Sequence, residues 1–240
     1  MQHNRRGCSY IPGGPLYSED VTPGDVEQGR RPLRRDAQGT RGKLIAAAQA
    51  EFAAQGADAS LQKIARDAGV SIGTLYRHFP SRLDLLMVAL EPRLRVFLDG
   101  ARTALELDDP WEAFVSYLAN MFGMQVGDRG FSDFLSRRFT HSAETERIHD
   151  QMSQQIVDVL TRAQASGQAR PDICQADIIN LIWSIGRIID ATSLTAPTAW
   201  KRNFQLMLDA YRAERAHPIL EPPMTDRQLY DAMVHLSTAR

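Results

Sequence analysis

Beyond about residue 40, apolar residues recur at spacings of three and four along nearly the whole chain, and no stretch alternates with the two-residue period of a strand. The stretch "GKLIAAAQAEFAAQGA" places Leu44, Ile45, Ala48 and Phe52 on one face. It stops at Gly56, a residue suited to the left-handed conformation that ends helices. "SLQKIARDAG" opens at Ser60, a good N-cap, turns Leu61, Ile64, Ala65 and Ala68 inward, and ends at Gly69. Only Val70 then separates that stop from Ser71, the next N-cap, so two short helices joined by a tight turn form a helix-turn-helix candidate. Stepping 100° per residue along the second of them groups Leu75, Phe79 and Ile72 on a buried side. Arg77 lies opposite, with Gly73 and Thr74 on its face and Tyr76 and His78 on its edges.

Longer helices follow. A connecting helix runs from about 82 to 104, with Pro92 as the place for a bend. Asp109 and Pro110 open the next, since proline in a first turn forfeits no hydrogen bond. Further segments span about 131 to 142, 145 to 166 with Gly167 as its stop, 173 to 193, and 198 to 214. A Pro-rich linker leads to a last short helix from Thr225. These elements predict an all-α fold of about nine helices, an N-terminal three-helix helix-turn-helix domain followed by a C-terminal helical bundle. The expected boundaries are a disordered basic arm over 1–40, the helix-turn-helix over 41–88, the helical bundle over 89–215 and a tail over 216–240.

Charge sharpens this plan. Formal net charge is −1, but residues 1–43 hold eight Arg/Lys against five Asp/Glu, and "RRPLRRDAQGTRGK" carries six positive charges and one negative, which suits a polyanion. The apolar patch "DIINLIWSIGRIID" is too short and too interrupted for the roughly 20 apolar residues of a membrane span. The N-terminus lacks the apolar core of a secretory signal, so a cytoplasmic protein is expected. Cys8 and Cys174 form neither a disulfide framework nor a zinc pair. No H-E-x-x-H, G-x-S-x-G, P-loop or G-x-G-x-x-G pattern organises the six histidines and the carboxylates into catalytic machinery. His141 and His149, with Glu144 and Glu146 between them, have a spacing open to metal binding, but a solvated segment between helices is the better reading. An enzyme, a cofactor and a metal site are therefore not expected.

The outward face of the second short helix has the chemistry of a major-groove reader. Small Gly73 and Thr74 let the helix end approach closely, and Arg77 can fork onto guanine O6 and N7. Tyr76 and His78 are placed for phosphates at the groove walls. Ser81 caps the following helix, and Arg82 in its first turn opposes the helix dipole unless an anion such as phosphate also binds there. Ser60 and Gln62 stand at the start of the preceding helix. The run "ASLQKIARDAGVSIGTLYRHFPSRLDLL" resembles the DNA-binding domain of the TetR family of transcriptional repressors, over about residues 42–90. The resemblance implies phosphate contacts for Tyr76, His78 and Arg82, and positions at or near bases and backbone for Ser60, Gln62, Ile72, Gly73 and Thr74. Ile72 departs from a donor chemistry, shifting base reading toward Gln62 and Arg77.

The resemblance further implies a homodimer on a palindromic operator in double-stranded DNA, and a C-terminal domain that holds a small-molecule pocket. Arg34, Arg35 and Arg41 are candidate minor-groove contacts of the arm. Trp111, Phe114, Phe122, Met124, Phe131 and Phe134 are the candidate lining of an apolar effector pocket. The dimer interface is expected on Ile178, Ile182, Ile185, Ile189, Phe204, Met207 and Tyr211, because the last two helices carry more apolar surface than one side of a bundle requires. The competing reading is a helical small-molecule-binding or interaction protein without sequence-specific DNA binding.

Overall fold

Capping side chains and left-handed glycines set most of the helix ends in the computed structural model, which describes residues 30–139 and 142–238, with side chains from residue 38. Ten α-helices occur among the described residues, with no strand. They are α1 (Arg30–Gln55), α2 (Leu61–Asp67), α3 (Ile72–His78), α4 (Arg82–Leu105), α5 (Pro110–Gln125), α6 (Arg129–Ser136), α7 (Ala143–Ala165), α8 (Gln175–Thr192), α9 (Ala199–Tyr211) and α10 (Asp226–Thr238).

The first helix starts at Arg30, so residues 30–40 are helical where an arm was expected. Pro32 falls in the first turn, where its missing N–H costs nothing, and Gly39 and Gly42, at about 1 kcal/mol each relative to Ala, do not end the helix. The rest of the expected arm lies outside the described residues. From Thr40 onward the chain forms one compact unit.

Gly56 ends α1 with φ 86°, and its N–H donates to Phe52 O at 2.8 Å. Ser60 Oγ accepts the Lys63 N–H to start α2, and Gly69, at φ 72°, turns the chain so that Ser71 Oγ can accept the Thr74 N–H and start α3. Leu44, Ala48 and Phe52 of α1, Ile64 of α2 and Leu75 of α3 are buried with Phe79 and Leu85 in one apolar core that continues into the rest of the chain. We call α1–α3 the head. Ser81 and Asp84 form a reciprocal capping box that begins α4, which runs on through Pro92 as one continuous helix.

The body is built around α5, which packs against α4, α7, α6 and α8. Asp109 caps α5 and Pro110 occupies its first turn. Gly100 lets α4 and α5 approach, since a Cβ there would run into Asn120. The body joins the head through α6. Ala57 N–H donates to Asp133 Oδ2 at 2.8 Å, Arg137 pairs with Asp58 at 2.7 Å, and Arg129 reaches Ala54 O at 3.5 Å. Gly130 lies so close to the Phe52 backbone that a Cβ would sit 3.1 Å from its carbonyl oxygen.

Candidate nucleic-acid interface

Helix α3 separates its residues sharply. Leu75 is fully buried and Phe79 nearly so, while Gly73, Tyr76 and Arg77 are exposed and Thr74 and His78 are half-buried. Tyr76 is 49% exposed, which for a large aromatic ring marks a contact surface better than a core residue. No carboxylate among the described residues lies within ion-pair distance of Arg77, so its guanidinium is available to an outside partner. The Thr74 hydroxyl lies 3.0 Å from Ser71 Oγ, inside the cap. Ser60 acts as a cap with its side chain, and Gln62 beside it is exposed. Nothing crowds Gly73: the nearest atom to a Cβ there would be Ser71 Oγ at 3.9 Å.

Three further residues have contacts or exposure that the sequence did not indicate. Ile72, grouped with the buried side by its angle, is 37% exposed, because it is the first residue of α3 and projects past the end of the core. Arg82 has acceptors within its own chain. Its Nη1 donates to the carbonyls of Ala57, at 3.2 Å, and Ala59, so acceptors from the α1–α2 loop resolve its conflict with the helix dipole. Arg41 places its guanidinium over the Phe79 ring, 4.4 Å from the centroid, a cation–π contact that ties α1 to the end of α3. The side chains of Arg34 and Arg35 lie outside the described residues. Lys63, not singled out from the sequence, is engaged by Glu51 and Asp67, both at 2.7 Å.

In the body, the expected pocket and interface residues are largely buried within the chain. Trp111, Phe114, Phe122, Met124, Phe131 and Phe134 are all buried in the apolar core among the described residues. Phe122 meets Phe204 edge-on at 5.0 Å, and Phe131 lies 6.0 Å from Phe97. Ile178, Ile182, Ile185, Ile189, Phe204 and Tyr211 are likewise buried within the chain itself, leaving only Met207 of the expected dimer residues partly exposed. Helix α8 packs against α9, α6, α5 and α7 of its own chain, a burial that periodicity alone cannot distinguish from a face toward a second chain.

A cavity of about 140 Å³ opens instead where α5, α7, α8 and α10 converge. Met121, Met152 and Ile179 form part of its wall, Leu229 and Met233 of α10 close it, and His149 faces it. The His149 ring stacks on Phe134 at 4.5 Å, and its Nε2 is buried without a hydrogen-bond partner. Burial, assisted by the nearby Arg138 charge and opposed by Asp150, lowers its pKa to about 4. The metal spacing seen in the sequence is not assembled among the described residues. Glu144 pairs with Arg147 and Glu146 with Arg138, both at 2.8 Å, and His141 lies outside the described residues.

Two family models match the chain: bacterial regulatory proteins of the tetR family over residues 44–88, and the C-terminal domain of SbtR-like transcriptional regulators over residues 109–213. The chain is 38% identical over 86 residues, 35% of its length, to two proteins of Pseudomonas putida, the HTH-type transcriptional regulator SrpR and the uncharacterized HTH-type transcriptional regulator TtgW. The matched stretch spans 40% of the first protein and 64% of the second. Among solved structures, the chain is similar to the ketosteroid transcriptional regulator KstR2 of Mycobacterium tuberculosis, at 24% identity and a TM-score of 0.54 over 72% of this chain and 94% of that one. It is also similar to a TetR-family regulator of Agrobacterium tumefaciens, at 16% identity and a TM-score of 0.55 over 74% of this chain and 100% of that one. At these identities the likeness is one of fold. Helix α10 lies beyond both matched segments.

Proposed function

The chain belongs to the TetR family of bacterial regulatory proteins, and from that premise we propose that it is a sequence-specific transcriptional repressor that binds a palindromic operator as a homodimer and leaves it when a small apolar effector binds. The observation that carries this reading is the outward face of α3. It is open at Gly73, carries Tyr76 half in solvent, and holds Arg77 with no internal partner among the described residues. A helix so equipped enters the major groove by its N-terminal end, with Arg77 on base edges and Tyr76 and His78 on phosphates. Gln62 and Thr74 add contacts at the groove margin. Arg82 acts indirectly, fixing the α1–α2 loop against which the reading helix is set.

The dimer reading is supported by the apolar side chains that α9 and the segments around it leave outside. Leu206 is 59% and Ile219 56% exposed; Leu206 precedes partly exposed Met207 in the chain, and Ile219 lines one hollow with Met207. A second copy placed there would relate two α3 helices by a two-fold axis, which is what a palindromic site requires. Release then follows if the effector binds better to the spacing of heads that does not fit the operator, because only differential affinity moves the equilibrium. The protein acts in the cytoplasm, where the DNA is; no helix among the described residues is long and apolar enough to cross a membrane.

Fluorescence anisotropy on operator fragments selected from the source genome tests the reading. Saturable binding of a palindromic fragment by two chains, weakened by Arg77→Ala but not by a neutral change on α9 away from its apolar face, is the expected result. Binding that is equal for every fragment and indifferent to Arg77→Ala would remove the helix-turn-helix from the function.

A further inference from the structure

We propose that the cavity beneath α10 binds an uncharged, single-ring molecule carrying a hydroxyl group, with α10 as the lid over it. The inference rests on the regulator reading only for its consequence at DNA; the site stands on its own geometry.

Size comes first. An apolar cavity of about 150 Å³ takes up benzene, and the present one, at about 140 Å³, has room for one six-membered ring. Its wall carries three methionines, Met121, Met152 and Met233, whose polarisable sulfurs adapt to a ring face or edge.

Charge comes second. Arg138, at the rim, is met by Glu146 at 2.8 Å and by Asp150, and its guanidinium also lies 5.5 Å from the Tyr230 ring, so it has no free attraction for an anion. Asp226, also at the rim, repels one. A cation would find Asp226 only at the exposed rim and no carboxylate partner inside. His149 is neutral near pH 7, its pKa being about 4, so the interior offers no charge to pair.

The polar group comes third. His149 is 4% exposed, faces the cavity, and leaves Nε2 without a partner. A buried polar atom of this kind is stabilised by whatever completes its hydrogen bond. Neutral imidazole presents either N–H or a lone pair at Nε2; a hydroxyl, being both donor and acceptor, satisfies either tautomer, whereas a carbonyl satisfies one.

The lid is tied to both ends of the molecule. Arg138 N–H donates to Met233 O at 3.1 Å, which seats α10 over the cavity. One turn further along α10, Ser237 and Thr238 border a hollow that Ala57, Ser81 and Arg82 also line at the base of the head. Displacement of α10 by an occupant would reshape that hollow beside the loop that Arg82 fixes.

Isothermal titration of the full-length protein with phenol, cyclohexanol, benzene and benzoate reads the site directly. Phenol and cyclohexanol should each bind once per chain, at least tenfold more tightly than benzene, and benzoate should not bind. His149→Leu should bring phenol to within about twofold of benzene. Absence of phenol binding, benzene binding as tightly as phenol, or benzoate binding more tightly than phenol would each overturn the proposal, and these wild-type results decide it even if the variant does not fold. Operator affinity measured with and without phenol separates the two readings. Calorimetric binding without any change at the operator keeps the site and removes its regulatory role, whereas operator binding without calorimetric binding of phenol overturns the site and leaves the regulator.

Discussion

Tyr76 on α3 and Phe134 on α6 are both aromatic residues in helices of eight residues or fewer, yet Tyr76 is 49% exposed and Phe134 is fully sealed. The same contrast runs through the regions they belong to. The head turns apolar side chains inward without exception along α3 after its first residue, and puts its donors outside. The body puts the unpartnered imidazole of His149 inside, behind Phe134, at the edge of a small cavity. A surface that meets DNA must display donors against a polymer of fixed shape and charge, so its residues carry the signature themselves. A cavity for a small molecule is made by leaving packing incomplete, and its walls are built from the same residues as a core.

The largest effect expected in the head is Phe79→Ala. Loss of a nearly buried ring, which also carries Arg41, should cost about 3–5 kcal/mol in denaturant unfolding and abolish DNA binding with it. The body should answer to acid instead. His149 titrates at about 4 when folded and at 6.5 unfolded, so the unfolded chain gains the proton first as pH falls. Stability from this group is therefore full above pH 6.5 and should decline by about 3 kcal/mol toward pH 4; His149→Gln should flatten that part of the slope in unfolding midpoints taken across the window. A head residue facing outward should show the reverse pattern: Arg77→Ala should weaken operator binding by about 1–3 kcal/mol while leaving the unfolding midpoint unmoved. The smallest effect is Ser81→Ala, which opens the capping box at the start of α4 and should cost about 0.5–2 kcal/mol, read by thermal unfolding.

What was legible in the sequence follows the range of the forces involved. Ser60, Ser71 and Asp109 cap helices through bonds to residues three positions on, and Gly56, Gly69 and Gly167 stop helices through their own left-handed φ, so these ends could be read from a few neighbours. The outward set on α3 could be read because one apolar pair, Leu75 and Phe79, fixes the orientation of a seven-residue helix. Contacts to partners distant in sequence were not legible. Arg82 finds its acceptors 23 and 25 residues away, and Arg41 finds its aromatic partner on the far side of two helices. On α8, apolar residues occupy so much of the circumference that no single face is marked, and the stripe Ile178–Ile182–Ile185–Ile189 went to the core of its own chain. The joint at Gly130 had no signal beyond a glycine inside a short helix, since what requires it is the Phe52 backbone lying against it.

The central claim is that the outward face of α3 reads sequence. Retention of fragments of the source genome on purified protein under rising salt, followed by sequencing, tests it most directly when wild type and Arg77→Ala are run together. The account predicts a few palindromic sites that survive high salt on the wild type and are lost on the variant. Retention spread evenly over all fragments, equally salt-labile for both proteins, would contradict it.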